Sequence, residues 1–383
     1  KIYIFLLTET QMEVFSVAYS SKLNEQIEQL RQAVSSLPSD QELANNFEQY
    51  TKTAFTLYEQ LLAPALKQLP TSVSSLILIP DYQLNHLPFE LLLMNPPLST
   101  KPNFSVKNLD YVLEHYTLSY DYSAIMHIKN RQRNSGSYRQ GFVGLAPIFI
   151  GSTEEAEPVN CRATALKPLA CNQQEVQTIQ NLIGGQSLLG KQAHKNTFDL
   201  LLPSSQIVHL ATHACIDENS LTDDKIFLAD DYISKHDLFN SRTNAELVVL
   251  SACNTGSGQL LKGEGVMSLA RGFIQAGSAS CVLSRWSVDD CATAKIMEQF
   301  YRSLKEEVGR SEALRLSKLS YLQSAEKYYQ HPFFWGAFTT YGQTTPLKVW
   351  RSGLPPWLLP SLGALVILLL WSVWKFRFSR PTH

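Results

Sequence analysis

Three apolar stretches in the second half of the chain decide the fold: QIVHLATHA (206–214), ELVVLSACNTG (246–256) and CVLSRWSVDD (281–290). Each contains a run of aliphatic and β-branched residues, which is typical of a buried strand, and each then reaches polar side chains. His213 ends the first run, Cys253 the second, and the acidic pair Asp289 and Asp290 the third. Because parallel sheets build their sites at the carboxyl ends of the strands, this pattern predicts a site at one edge of a parallel sheet.

Strand and helix patterns alternate from Gly141 onward. The apolar strands are separated by amphipathic segments such as EGVMSLARGFIQAG (264–277), whose apolar residues recur every three or four positions. Such alternation is typical of a mainly parallel sheet with helices on both faces. The sequence therefore predicts an α/β fold for residues 136–345.

The first third of the chain is organised differently. Residues 1–20 alternate apolar and polar side chains with a break near Gln11, which predicts a β-hairpin. Amphipathic helical patterns and short strands follow, up to a charged and polar segment at 129–140. We therefore predict that residues 1–135 form an α/β subdomain packed on the part that follows.

The composition is that of a globular protein with a sizeable core. Of the 383 residues, 44% are hydrophobic and 17% are charged, which excludes a disordered chain. The formal net charge of −1 offers no basic surface, so we predict no nucleic-acid partner. Because residue 1 is Lys rather than Met, we expect the sequence to be a fragment or a processed product.

The cysteines indicate neither a metal site nor a disulfide framework. No CxxC pair occurs, and no Cys and His residues have the spacing of a zinc site, so we predict no metal and no cofactor. The N-terminal KIYIFLLTE (1–9) does not have the pattern of a secretion signal. We therefore predict reduced thiols in a cytosolic setting. The residues concerned are Cys161, Cys171, Cys215, Cys253, Cys281 and Cys291.

The C-terminal tail has the composition of a membrane span. Residues 352–374 contain no charged side chain, and LGALVILLLW (362–371) is continuously apolar. A helix over 354–374 would be roughly 31 Å long, about the thickness of one bilayer core. We predict a linker at 346–353, a transmembrane helix at 354–374 and a short basic tail at 375–383, with the folded part in the cytoplasm. A buried C-terminal helix is the alternative.

His213 and Cys253 together suggest a nucleophilic site. A cysteine becomes a useful nucleophile when an imidazole holds it as the thiolate, and adjacent strand ends would bring the pair within reach. Each alone has a plainer interpretation, Cys253 as a small core residue and His213 as a partner of backbone groups. Cys215 is a rival nucleophile but ends no strand of its own. His209, flanked by apolar residues, is predicted to be structural.

Several of these motifs, in this order, closely resemble the CHAT domain, a caspase-like protease domain that is similar to separase. The resemblance covers roughly residues 50–343. Its motifs include HLATHA (209–214), ELVVLSACNTGSG (246–258), LKGEGVMSLARGFIQAG (261–277), RWSVDD (285–290) and HPFFWGAF (331–338).

The resemblance implies a fold and a dyad. It implies a caspase-like, mainly parallel sheet flanked by helices and, by analogy with separase, a pseudo-protease-like role for residues 1–135. It also implies that the catalytic dyad is His213, from the ATH motif, and Cys253, from the SAC motif.

The resemblance further implies a mechanism. Cys253 would attack a peptide carbonyl of a protein substrate, and the backbone N–H groups of Cys253 and Ala214 would hold the oxyanion. Family members usually carry Gly after the histidine. Alanine keeps the N–H, so the oxyanion hole survives if φ is negative at Ala214.

The acidic pair gives expectations for substrate choice. In separase-like members an acidic residue near the WxVxD segment binds a basic P1 side chain, and Asp289 and Asp290 occupy that region. Asp290 also suits the N-cap of the following helix. Arg285 stands where many relatives have an apolar residue, and it would favour an acidic P1 residue if its side chain reached the pocket.

Together these observations predict a membrane-tethered, caspase-like cysteine endopeptidase in prokaryotic signalling or defence, activated by a partner or an upstream sensor. The alternative is a non-catalytic CHAT scaffold that recruits partners to a membrane. An α/β-hydrolase is disfavoured because no G-x-[SC]-x-G motif appears. The glycine-rich stretch 256–265 is interpreted as a mobile active-site loop, because Lys262 is followed by Gly263 and not by the Ser or Thr of a phosphate-binding loop.

Overall fold

Fifteen strands and twelve α-helices are found in the part of the chain that the structure describes. This computed structural model describes residues 1–37, 43–96, 106–133, 136, 138–149, 166–216, 224–253, 255–256, 258–261 and 265–349. The strands are β1 (Ile2–Leu7), β2 (Met12–Val17), β3 (Ser75–Leu78), β4 (Thr117–Tyr120), β5 (Gln140–Ala146), β6 (Gln186–Leu189), β7 (Ser205–Ala211), β8 (Ala214–Cys215), β9 (Lys225–Phe227), β10 (Tyr232–Ser234), β11 (Leu247–Ser251), β12 (Gly258–Leu261), β13 (Gly265–Ser268), β14 (Ser280–Ser284) and β15 (Phe338–Gly342). The helices are α1 (Ser21–Ser35), α2 (Leu43–Leu61), α3 (Ala63–Leu66), α4 (Val112–His115), α5 (Ala124–Arg131), α6 (Asn172–Ile183), α7 (Lys195–Leu201), α8 (Lys235–Asn240), α9 (Leu269–Ala276), α10 (Asp290–Lys305), α11 (Arg310–Ser324) and α12 (Pro332–Trp335).

A central sheet of eight strands organises the molecule, in the order β3-β4-β15-β14-β11-β7-β5-β6. All neighbours in it are parallel except β14 and β15, which are antiparallel. Every residue of β7, β11 and β14 is buried. This burial explains why these strands are continuous apolar runs, since helices cover a parallel sheet on both faces. The predicted mainly parallel α/β sheet flanked by helices is confirmed.

The predicted hairpin at residues 1–20 is confirmed, because β1 and β2 pair antiparallel from Ile2 with Val17 to Leu7 with Met12. The predicted division at residue 135 stays a prediction. Strands β3 and β4 precede that residue and lie in the same sheet as β15. Residues 1–350 form one compact unit.

The cysteines differ from the prediction. Cys171 and Cys291 form a disulfide across 120 residues of sequence, joining the start of α6 to the start of α10. Cys215 is also disulfide-bonded. The prediction of reduced thiols is therefore wrong for these three residues. It failed because disulfide partners are set by tertiary contact, which cysteine spacing does not reveal. The cytosolic setting, which rested on reduced thiols, stays a prediction.

None of the helices that the structure describes is long and apolar enough to cross a membrane. The predicted span at 354–374 and the basic tail at 375–383 lie outside the described residues.

Candidate active site

The ends of β7 and β11 place His213 and Cys253 at equivalent positions on one edge of the sheet. In the parallel register Ala211 pairs with Ser251, and the Thr212 N–H donates to the Ser251 carbonyl at 3.2 Å. His213 and Cys253 each follow that register pair by two residues. Neighbouring strands lie about 4.8 Å apart, so the two backbones leave the sheet side by side. Their role as a dyad stays a prediction.

The His213 ring is oriented by a backbone carbonyl. Its Nε2 lies 2.7 Å from the carbonyl oxygen of Lys167, and its ring centroid lies 4.9 Å from that of Phe149. A carbonyl can only accept a hydrogen bond, so Nε2 carries the proton. In the neutral ring Nδ1 is then the nitrogen with the lone pair, and it is the one able to take a thiol proton.

The backbone of His213 is fixed by the small sheet β8-β9-β10. Its carbonyl accepts from the Phe227 N–H at 2.9 Å, and Thr212 Oγ1 donates to the Phe227 carbonyl at 2.6 Å. Ala214 begins β8 and pairs with Ile226. It is not among the residues with positive φ. The condition under which alanine could replace glycine at the predicted oxyanion position is therefore met, and the oxyanion role of Ala214 stays a prediction.

Cys253 is half-buried. The turn after it is anchored to the end of β14, because the Gly256 N–H donates to the Ser284 carbonyl at 2.8 Å and the Ser284 N–H donates to Thr255 Oγ1 at 3.1 Å. A Cβ on Gly256 would lie 2.3 Å from a methyl carbon of Leu283, so only glycine allows this close approach. Cys253 follows β11, which lies between β7 and β14 in the sheet.

The predicted mobile loop at 256–265 contains regular structure. Gly258–Leu261 and Gly265–Ser268 pair antiparallel as β12 and β13. Gly258 and Gly265 each begin a strand, which a purely local interpretation of glycine as a flexible residue did not anticipate.

Asp289 and Asp290 have different partners. Asp289 is the N-cap of α10 and accepts from the Ala292 N–H at 2.8 Å, so the cap is Asp289 and not Asp290. Asp290 accepts from the Ala170 N–H at 3.0 Å. Burial raises the pKa of Asp290 to about 6, and the charges of Glu175 and Asp289 also raise it, against the lowering effect of the Ala170 hydrogen bond.

Arg285 lies on the other side of β14. Its Nη1 donates to the Asn85 carbonyl at 2.7 Å, and its guanidinium carbon lies 4.6 Å from the centroid of the Tyr120 ring. Tyr120 is in β4, whereas the strand that leads to Cys253 adjoins β14 on its opposite side. This position does not support the alternative in which Arg285 selects an acidic P1 residue.

A comparison with known protein families matches one of them over most of the chain. The model of the CHAT domain family matches residues 51–343, a range that includes β3 to β15 and both His213 and Cys253. The chain belongs to the CHAT domain family.

Two curated relatives of this CHAT protein are the mouse and human forms of tetratricopeptide repeat protein 28. They are 23% and 24% identical to it over 219 residues, which is 47% of this chain and 9% of each relative. The chain thus spans less than a tenth of the length of the curated relatives it matches.

Solved structures similar to this CHAT protein include a complex of the pro- and mature domains of RgpB from Porphyromonas gingivalis and a separase–securin complex from Saccharomyces cerevisiae. The first has a TM-score of 0.46 at 11% identity and covers 86% of this chain and 78% of its own. The second has a TM-score of 0.44 at 11% identity and covers 86% of this chain and 23% of its own.

Sequence reasoning missed the segment that contacts His213. Residues 166–171 (LKPLAC) run from the Lys167 carbonyl at His213 to the disulfide at Cys171. Their only local signals are Pro168 and the cysteine, and neither indicates a position beside an active site. The segment can be found only from tertiary contacts.

His209 has the structural role that was predicted for it. It is fully buried, its Nε2 lies 2.8 Å from Glu175 Oε1, and its Nδ1 lies 3.1 Å from the Tyr301 hydroxyl. Both ring nitrogens are therefore hydrogen-bonded inside the core, and His209 is not available to a substrate.

One group of side chains among the described residues could bring three metal ligands together: Asp110, Glu114 and His115. They lie before β4, and Asp110 is already hydrogen-bonded to His115 and Asn95. The ligands satisfy one another, so we assign no metal to them.

We expect Asp290→Asn to stabilise the protein at neutral pH. An unfolded Asp has a pKa of about 3.9, so a folded value of about 6 disfavours folding once the carboxyl ionises. The penalty is absent below about pH 4, grows between pH 4 and 6, and is complete above pH 6. Asparagine keeps an acceptor for Ala170 without the charge, so Tm should rise by about 2–4 °C at pH 7.5 and stay unchanged at pH 4.

Asp289→Asn is the matched control for this measurement. It keeps a capping oxygen for Ala292 and should give a much smaller gain at pH 7.5, because the Asp289 charge is only a minor cause of the raised Asp290 pKa. A lower Tm for Asp290→Asn at both pH values would contradict the account.

Proposed function

We propose that this CHAT protein is a cysteine endopeptidase in which Cys253 is the nucleophile and His213 is the general base. The observation that carries the proposal is the register of β7 and β11, which brings the two residues to neighbouring positions at one sheet edge. The Lys167 carbonyl supports it, because it leaves the basic lone pair on Nδ1 of His213.

The reaction follows from these groups. The Cys253 thiol gives its proton to Nδ1 of His213, and the thiolate attacks a peptide carbonyl. The N–H groups of Cys253 and Ala214 hold the oxyanion, and the protonated His213 then donates to the leaving amine. A thioester with Cys253 remains. His213 activates a water molecule that hydrolyses it and restores the thiol.

The P1 residue in this proposal is Arg or Lys, and Asp290 is the residue that selects it. Its carboxyl is half-buried, it accepts from the neutral backbone N–H of Ala170, and Glu175 and Asp289 add negative charge nearby. A cationic side chain would offset this charge through an ion pair in a partly desolvated site. Asp289 is committed to capping α10 and contributes chiefly its charge.

Peptides that differ only in an Arg, Gln or Asp at P1 test this specificity. We expect the Arg peptide to have the highest kcat/KM at pH 7.5. The ratio of kcat/KM for Arg over Gln should fall about tenfold between pH 7 and pH 5, because Asp290 is protonated below about pH 6. Using the ratio cancels the titration of the dyad, which both peptides share. In Asp290→Asn the ratio should be near one and independent of pH, and a preference for the Asp peptide would overturn the assignment.

The wider organisation is proposed on sequence grounds. The apolar segment 354–374 would anchor the protein in a membrane by a single C-terminal helix, with the peptidase in the cytoplasm and residues 1–135 as a pseudo-protease-like part. Activation by a regulatory or sensor partner completes this proposal. Fractionation of the full chain with and without 354–374 tests the anchor, and a truncated chain that stays with the membrane would contradict it.

A second candidate is a non-catalytic scaffold that recruits partners at a membrane. It is favoured by the curated relatives, which are named for tetratricopeptide repeats, since such repeats form extended binding surfaces. In a scaffold, replacing Cys253 would leave every function intact.

A further inference from the structure

We propose that residues 166–171, which we call the strap, are a positioning element for His213, and that the Cys171–Cys291 disulfide holds the strap in place. Turnover would then depend on the thiol state of this cysteine pair. The inference rests on the proposed peptidase function and adds a redox dependence to it.

One end of the strap contacts the candidate base. The Lys167 carbonyl accepts from Nε2 of His213 at 2.7 Å. The preceding Leu166 is buried in a small apolar cluster with Phe149 and Phe227. Phe149 packs on the His213 ring, and the Phe227 N–H binds the His213 carbonyl. The strap therefore belongs to the same cluster that surrounds His213.

The other end of the strap is attached to α10 at two adjacent positions. The Ala170 N–H donates to Asp290 at 3.0 Å, and the next residue, Cys171, is bonded to Cys291 with the two Cα atoms 5.3 Å apart. The hydrogen bond from Ala170 to Asp290 is accessible to solvent, so by itself it holds this end of the strap only weakly. The disulfide is the covalent tie between this end of the strap and α10.

The strap is short and stiff enough to pass this restraint on to His213. Only three residues separate Lys167 from Cys171, a reach of about 14 Å at most. Pro168 fixes its own φ and biases Lys167 toward an extended backbone. With the disulfide intact, the Lys167 carbonyl is held at Nε2. Without it, this acceptor can leave, and the neutral ring loses the bond that selects the Nε2–H tautomer.

Reduction of the Cys171–Cys291 disulfide is an ordinary thiol–disulfide exchange. A thiolate of a dithiol reductant attacks Cys171 or Cys291 and forms a mixed disulfide. The second thiol of the reductant then attacks the reductant sulfur of the mixed disulfide. This breaks the bond to the protein sulfur and closes a cyclic disulfide within the reductant. The protein gains two electrons and two protons as two thiols, and the reductant is oxidised by the same amount.

The double variant Cys171→Ser/Cys291→Ser tests the proposal. We expect kcat to fall by about 10- to 100-fold because the base is misplaced, while KM for the Arg peptide stays within about twofold. Histidine ¹⁵N NMR supplies a readout that loss of stability alone would not move. The His213 signal, assigned with His213→Gln, should show the Nε2–H tautomer in the wild type and a mixture of both tautomers in the double variant.

Two further measurements test the proposal even if the double variant folds poorly. A dithiol should lower kcat of the wild type to the level of the double variant and leave the double variant unchanged, which controls for effects on Cys253 and on the disulfide of Cys215. Pro168→Gly keeps the disulfide but loosens the strap, and it should lower kcat in the same direction.

Wild-type kcat together with a wild-type His213 signal in the double variant would overturn the proposal. If the wild type shows no peptidase activity, the proposed function fails, but the ¹⁵N signal still decides whether the disulfide orients His213.

Discussion

Replacing Cys253 with alanine is expected to lower peptide turnover by about 10⁴-fold or more. The nucleophile and its base act as a unit, so removing either one loses nearly all of the covalent route. His213→Ala should therefore cause a loss of similar size, and the double variant should lose little more. Cys253 is only half-buried at a strand end, so its variant should keep the wild-type Tm within about 2 °C. Steady-state hydrolysis of the Arg peptide measures the effect.

Cys281→Ala is the matched control, because Cys281 is a cysteine with a free thiol that lies away from the proposed nucleophile. It is fully buried in β14, where it pairs with Val248, and burial raises the pKa of its thiol far above the usual range. Its replacement should cost about 1 kcal/mol of stability through lost packing and leave kcat unchanged. Turnover that persists in Cys253→Ala, or that disappears in Cys281→Ala, would contradict the assignment.

Replacing Lys235 with methionine is expected to destabilise the protein by about 3–5 kcal/mol. Lys235 and Asp224 are both fully buried, and their charged atoms lie 2.6 Å apart. Removing one partner leaves the other charge buried without this opposite charge beside it. Urea denaturation followed by circular dichroism measures the change in unfolding free energy.

This ion pair is relevant to the site because it lies beside the small sheet that holds His213. Asp224 directly precedes β9, Lys235 begins α8, and β9 supplies the N–H that binds the His213 carbonyl. The control is Asp224→Leu/Lys235→Met, which removes both charges and should recover most of the lost stability. A single variant within about 1 kcal/mol of the wild type would show that the pair is not buried in this way.

The strands of the sheet that carry the site could be predicted because their signal is local. Burial on both faces requires an uninterrupted apolar run, so β7, β11 and β14 could be recognised from sequence together with the polar residues at their ends. The relative direction of neighbouring strands could not be predicted from this signal. The antiparallel β14–β15 pair follows from the path of the chain through α10, α11 and α12, which hydrophobic pattern does not encode.

The features that sequence reasoning missed are short or depend on tertiary contact. Strands β8 and β9 have two and three residues, too few for any period to be visible. The N-cap of α10 is Asp289, one residue before the predicted Asp290. The two side chains are chemically identical, so only the backbone conformation decides which of them precedes the helix. The disulfide and the strap join residues 120 positions apart in the sequence. The predicted dyad came from sequence motifs, whereas the contacts of His213 could be found only from the structure.

Covalent labelling by an acyloxymethyl ketone with Arg at P1 tests the central claim most directly. The reagent alkylates a cysteine that an adjacent base has activated, so it separates a peptidase from a scaffold. Mass spectrometry of the digested wild-type protein should find one label, on Cys253, and His213→Ala should abolish it while Cys281→Ala keeps it. A wild-type protein without a label at Cys253, or one labelled equally well in His213→Ala, would contradict the account.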